Sequence, residues 1–154
     1  MRRLDETDLR ILHELQGDGR ISNQELADRV GLSPSPCLRR VRRLEEAGVV
    51  AGYTAVVDPA SVGLDITAFV RLRLDSHSTG VVERVEEAIR GVPEVTEAYL
   101  LAGDHDYLLK VAARSFPAYE ELMRSKLRSI PSVSSIETTF AISVTKPGSP
   151  LPVD

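Results

Sequence analysis

Leu32 to Pro59 reads LSPSPCLRRVRRLEEAGVVAGYTAVVDP, and this stretch decides the fold of the first third of the chain. Ser33 suits a helix N-cap and Pro34 the first helical position, where its missing N–H costs nothing. Four arginines, Arg39, Arg40, Arg42 and Arg43, then cluster in one short segment, and Gly48 ends it. At about 100° per residue, Cys37, Leu38, Val41 and Leu44 share one face and must pack inward. Ser35, Arg39, Arg42 and Arg43 fall opposite, with Arg40 on the flank. Val49-Val50 and Tyr53 to Val57 read as two short strands around Ala51-Gly52, a small β wing. A short amphipathic helix with clustered arginines, followed by a wing, has the form of a major-groove reader. The plainer alternative is a solvated charged face, with Glu45 and Glu46 pairing with the arginines.

Working toward the N-terminus, Leu4, Leu9, Ile11, Leu12 and Leu15 form a helical apolar stripe with Asp5 as its N-cap. Glu6 and Asp8 suit the first turn, where acids complement the helix dipole. Gly17-Asp18-Gly19 stops this helix. Ser22-Asn23-Gln24-Glu25 is a capping-box pattern opening a second short helix, with Leu26, Ala27 and Val30 inward and Gly31 as its C′ residue. Only Leu32 and Ser33 separate it from the arginine helix. Two short helices joined by a tight Gly-containing turn make a helix-turn-helix. Asp58-Pro59-Ala60-Ser61 reads as a linker.

Composition limits what such a reader can be. The chain has 154 residues and a net charge of -4. Residues 1–58 hold nine Arg against ten Asp+Glu, so any DNA affinity must come from a local patch. The single cysteine, Cys37, excludes an internal disulfide and fits a reducing cytoplasm. No apolar run approaches the roughly 20 residues of a membrane span. The N-terminus lacks a signal-peptide apolar core, so a cytoplasmic protein is expected.

Beyond the linker, Ile66, Ala68, Val70, Leu72 and Leu74 alternate with Thr67, Phe69, Arg71 and Arg73, the period of a half-buried strand. Val81, Val82, Val85, Ala88 and Ile89 have helical spacing. Val95 to Ala102 and Tyr107 to Ala113 are strands around the turn Gly103-Asp104-His105-Asp106. Tyr119, Leu122, Met123, Leu127 and Ile130 form a second amphipathic helix. Ile136 to Val144 is a fourth alternating strand. Arg90-Gly91-Val92-Pro93-Glu94-Val95 and Arg128-Ser129-Ile130-Pro131-Ser132-Val133 echo each other, each closing a helix and opening a strand. The order βαββαβ in two similar halves predicts a ferredoxin-like split βαβ fold. Helices on one side leave the other sheet face uncovered, with Phe69 and Tyr99 on it, so a second sheet is expected to cover it in a dimer.

These motifs resemble one family. The pattern L-D-x-x-D-x-x-I-L-x-x-L (Leu4 to Leu15), then R-I-S-x-x-E-L-A (Arg20 to Ala27), then V-G-L-S-P-x-P-C-L-x-R-V-R-R-L-E-x-x-G (Val30 to Gly48), then G-Y-T-A (Gly52 to Ala55) is similar to the Lrp/AsnC, or feast/famine, transcriptional regulators, closest to the leucine-responsive branch. Gly103-Asp104-His105-Asp106-Tyr107 resembles that family's Gly-Asp-x-Asp-Tyr loop. The resemblance implies double-stranded DNA as partner, a homodimer with higher assembly such as an octamer, and an amino-acid effector bound near this loop in clefts between subunits. It implies Tyr99, Gly103, Asp104, His105, Asp106 and Thr138 as effector-binding residues. The chemistry is reasonable by itself. Backbone N–H groups in a Gly turn can form a nest for an α-carboxylate, Asp104 or Asp106 could take an α-ammonium, and Thr138 could add a hydroxyl. The competing reading is that Gly and Asp are what any tight hairpin turn contains.

The sequence offers little for other chemistry. One cysteine and the scattered His13, His77 and His105 make no zinc site. No G-x-S-x-G, P-loop or H-E-x-x-H motif occurs, and no cofactor or metal is expected. The expected organisation is a winged helix-turn-helix DNA-binding domain with linker (1–60), a ferredoxin-like effector-binding and oligomerisation domain (61–146), and a flexible tail (147–154). In the first domain Ser33, Ser35, Arg39, Arg40, Arg42 and Arg43 are the DNA-binding residues, with Arg40 on phosphate and Arg39, Arg42 and Arg43 facing the groove. An architectural DNA-wrapping protein and a sirohaem-decarboxylase-like enzyme are the alternatives. The near-neutral charge of residues 1–58 weakens the first, and the exposed arginines weaken the second.

Overall fold

A computed structural model describes residues 4–153, which divide into two compact units. The first runs to Val56 and also takes in the chain from Lys146 onward; the second is Val57–Thr145.

Three helices make the first unit: α1 (Glu6–Gly17), α2 (Asn23–Val30) and α3 (Pro34–Glu46). Asp5 caps α1 through a reciprocal capping box. Its side chain accepts from the Asp8 N–H at 2.9 Å, and the Asp8 carboxylate accepts from the Asp5 N–H at 3.4 Å. Ser22 caps α2 by accepting from the Glu25 N–H, but Ser33 makes no side-chain cap on α3, which relies on Pro34 instead. Gly31 ends α2 with φ 71°, a left-handed conformation that costs other residues about 1–2 kcal/mol. Its presence lets only three residues separate α2 from α3. Ile11, Leu12, Leu26, Ala27, Val30, Cys37 and Leu44 form the core.

Two expectations are corrected here. Leu38, read as part of the inward face of α3, is 38% exposed. Cys37 and Leu44 are fully inside, so the buried stripe runs along Cys37, Val41 and Leu44 and leaves Leu38 on its flank. The two strands expected at residues 49–57 do not form. Val49 and Val50 donate to the Leu44 carbonyl as part of the helix end, and Ala51 to Val57 carry no ladder. Val56 is 98% exposed. A ribbon needs a second strand, and this short segment finds none among the described residues. Tyr53 fixes its start by donating to Glu45 at 2.9 Å.

The tail expected to be flexible carries contacts on the first unit. The Leu151 N–H donates to Gln16 Oε1 at 2.6 Å, and Gln16 Nε2 donates to the Leu151 carbonyl at 3.1 Å. Val153 packs against the helical core.

The second unit is a four-stranded antiparallel sheet ordered β2-β3-β1-β4, made of β1 (Ile66–Leu74), β2 (Val95–Leu100), β3 (Tyr107–Ala113) and β4 (Val133–Phe140). Helices α4 (Thr79–Arg90) and α5 (Phe116–Ser125) join the strands in the expected βαββαβ order. Alternate residues of β1 and β3 are buried with Val81, Val85, Ile89, Tyr119 and Leu122. The second half departs from the expected echo. Helix α5 stops at Ser125, and a 3-10 turn over Leu127–Ser129 and a left-handed Ser132 (φ 59°) lead into β4. Strand β4 also stops at Phe140, and Ile142 and Val144 are exposed beyond it.

Candidate nucleic-acid interface and effector loop

The exposed face of α3 carries Ser35, Arg39, Arg42 and Arg43, with Arg40 half-buried and Ser33 exposed just ahead of the helix. Leu32, Pro36, the four arginines and Glu46 line a groove of about 580 Å³. The arginines do not act alike. Asp8, only 2% exposed, accepts from Arg40 Nη1 at 2.7 Å and from Arg43 Nη2 at 2.6 Å. Arg40 Nη1 also reaches Asp5 at 2.7 Å. The Arg40 guanidinium holds the Asp5 carboxyl below its ordinary range, and Asp5 and Asp8 in turn raise the pKa of Arg40. Arg39 and Arg42 make no ion pair among the described residues.

The structure adds partners to Arg40 and Arg43 that the helical wheel did not supply. Both guanidiniums are paired with the acids Asp5 and Asp8 at the start of α1, although Arg43 stays exposed, and Arg39 and Arg42 have no such pairing among the described residues. A helical wheel gives direction but not partners. The missed residue is Asp8, read only as a first-turn acid. Its signal was in the sequence: Asp5 and Asp8 are three apart, as are Arg40 and Arg43, so acids and bases match across two packed helices.

In the second unit the Gly103 loop is tied to the end of β1. The Asp106 N–H donates to the Leu72 carbonyl and the Leu101 N–H to the Asp106 carbonyl, both at 2.8 Å. Arg73 Nε donates to the Asp104 carbonyl at 2.8 Å. Asp106 Oδ2 accepts from the Leu74 N–H at 2.7 Å, and Asp106 Oδ1 lies 2.7 Å from His77 Nε2. The Leu74 N–H, with help from His77, holds the Asp106 carboxyl below the usual carboxylate range. His105 Nε2 lies 3.3 Å from Glu137. The Asp104 side chain is exposed and makes no ion pair among the described residues.

These contacts change the expected chemistry of the loop. No residue from Gly103 to Asp106 has a positive φ, so the αR–αL nest for a carboxylate is not formed. Asp106 is already engaged, whereas the Asp104 carboxylate is exposed and makes no ion pair among the described residues.

Tyr99 and Thr138 are not brought to one place. Tyr99 sits opposite Leu108, on the sheet face away from the helices, with its hydroxyl on Glu97. Thr138 sits opposite the buried Val70 and lies 2.6 Å from the Tyr119 hydroxyl, on the helix face. Strands β2 and β4 are opposite edges of the sheet, three strand spacings or about 14 Å apart. A single chain thus separates these two residues by face and by edge. Among the described residues no group of three or more His, Cys, Asp or Glu is placed to hold a metal ion.

Comparison with known proteins places both units. Residues 4–51 match the family model for a winged helix-turn-helix DNA-binding domain, and residues 67–151 match that of the Lrp/AsnC ligand binding domain. The leucine-responsive regulatory protein of Escherichia coli K12 is 44% identical over 135 residues, covering 88% of this chain and 82% of that protein. A transcriptional regulator of Neisseria meningitidis, solved as a complex with L-Met, is similar with a TM-score of 0.93 and 38% identity, covering 99% of this chain and 98% of that one. The AsnC of Escherichia coli aligns with a TM-score of 0.87 and 28% identity, covering 96% and 98%.

Proposed function

This chain belongs to the Lrp/AsnC family of transcriptional regulators, and from that premise we propose how its two units divide the work. It is a DNA-binding regulator with an amino-acid ligand-binding domain. Arg39 and Arg42, with Ser33 and Ser35 at the leading end of α3, read the major groove. Arginine can take guanine O6 and N7 together, and the N-terminal part of a recognition helix meets base edges. The observation that carries this reading is the pair of unpartnered arginines on the exposed face of α3, beside a groove lined by cationic side chains. No observation favours the tetrapyrrole enzyme, and we read the protein as a regulator only.

The effector contacts are Asp104, His105 and the backbone of the Gly103 loop from one copy. Tyr99 and Thr138 serve the site only if other copies bring their exposed edges to it. This requirement supports a site between subunits and an assembly of at least a dimer. The uncovered sheet face, with Phe69, Tyr99 and Leu108, supports the same conclusion. Leucine, named for the Escherichia coli relative, and methionine, bound in the Neisseria structure, are the first effectors to test.

The test is fluorescence anisotropy on the DNA upstream of the protein's own gene against scrambled DNA, at physiological salt, with and without each amino acid. Preferential binding that shifts with leucine or methionine is the expected result. Equal binding to both duplexes would favour the architectural alternative, and absent binding would sink the regulator reading.

A further inference from the structure

Asp8 is the one charged residue in the buried set among the described residues. Its carboxylate accepts from three donors, Arg40 Nη1, Arg43 Nη2 and the Asp5 N–H. A buried carboxylate needs such partners, because an unpaired one would cost several kcal/mol to desolvate. What matters for function is which partners it takes. Two of the four arginines of α3 are paired with acids at the start of α1, and the other two carry no such pairing among the described residues.

Resting on the DNA-binding reading above, we propose that Asp8 is a positioning residue that sets DNA specificity by withholding Arg40 and Arg43 from the phosphate backbone. Two physical effects combine. First, sequence-independent affinity grows with the number of cations that displace counterions from phosphates. An arginine already neutralised by a buried carboxylate adds little to that number. Second, the double tie fixes the roll of α3 against α1, so that Arg39 and Arg42 keep the outward row. Specificity is a difference between affinities, and lowering the non-specific term raises it as surely as adding a base contact. The near balance of acids and bases in residues 1–58 has the same effect at larger scale.

The variant that tests this is Asp8→Asn, which keeps shape and one acceptor but removes the charge. Binding to upstream and scrambled duplexes of equal length is measured across a salt series. The expected result is tighter binding to scrambled DNA. The slope of log K against log salt should steepen by about 1–2, since each phosphate newly engaged adds roughly 0.9. The ratio of specific to non-specific affinity should fall roughly tenfold. Unchanged slope and ratio in a folded Asp8→Asn protein would overturn the proposal and leave Asp8 as a structural ion pair.

Arg43→Gln supplies an independent arm if Asp8→Asn does not fold. In the wild-type background it should leave the slope on scrambled DNA unchanged. A decrease of about 0.9 would mean that Arg43 already contacts phosphate, and the proposal fails. In the Asp8→Asn background the same change should lower the slope. Failure of the DNA-binding reading looks different: the wild-type protein would itself show no preference for the upstream duplex.

Discussion

Arg39 and Arg42 have no acidic partner among the described residues, so on the DNA-reading role proposed for them their replacement should weaken DNA binding and change little else. Arg39→Ala and Arg42→Ala should each cost about 1–3 kcal/mol of affinity for the specific duplex. Thermal stability should stay near wild type, and wild-type affinity in both variants would move the readout elsewhere. Asp106 illustrates the opposite case, a carboxylate spent on structure. Its pKa is depressed by the Leu74 N–H first and His77 second. Such a group stabilises the fold above its unfolded value, and the contribution is lost as pH falls through the folded value. Loop stability should therefore be constant at neutral pH and decline below the ordinary value of 3.8. The protection of the Leu74 amide, its exchange rate divided into the intrinsic rate at the same pH, should fall there in an NMR pH series, and Asp106→Asn should abolish the step. Residue identity was legible in the sequence, since the loop and the arginine cluster were both singled out. Residue commitment was not, because Asp8 and Arg40 are 32 positions apart and meet only when α1 packs on α3.

At the scale of elements, the turn between α2 and α3 depends on Gly31. A Cβ there would meet open space, so the cost of Gly31→Ala is the left-handed backbone alone, about 1–2 kcal/mol. Chemical denaturation should show that loss, and no loss would mean the turn relaxes. The tail behaves as part of the helical unit. Leu151 and Gln16 exchange two hydrogen bonds, and Val153 rests on the core. Gln16→Ala should cost about 1 kcal/mol and speed proteolysis of the tail, whereas an unchanged cleavage rate would return the segment to a frayed end. The helices and strands themselves were legible because their periods and caps are local. The wing and the far end of β4 were not. Alternation predicts a strand, but a ladder partner decides whether one forms, and neither Tyr53–Val57 nor Ile142–Val144 has one within the described residues.

For the whole molecule, the proposed effector site draws on more than one copy of the chain. Gly103 has ordinary φ and open space where a Cβ would sit, so Gly103→Val should fold normally. It should abolish the shift of DNA binding by leucine or methionine while leaving basal binding intact; a retained response would move the effector site away from this loop. Light scattering at micromolar concentration should give a dimer or larger, and a monomer would argue against a site shared between copies. The sequence alone determined the order of elements, the helix-turn-helix and the βαββαβ topology, and it singled out two clusters of candidate residues. All of these rest on periodicity, capping and turn chemistry within a few residues. Tertiary structure decided which arginines are paired with acids, which loop acid is engaged, that Tyr99 and Thr138 lie on opposite faces, and that the tail rests on the first unit. Each of those depends on contacts between segments distant in sequence, where geometry rather than composition chooses the partner.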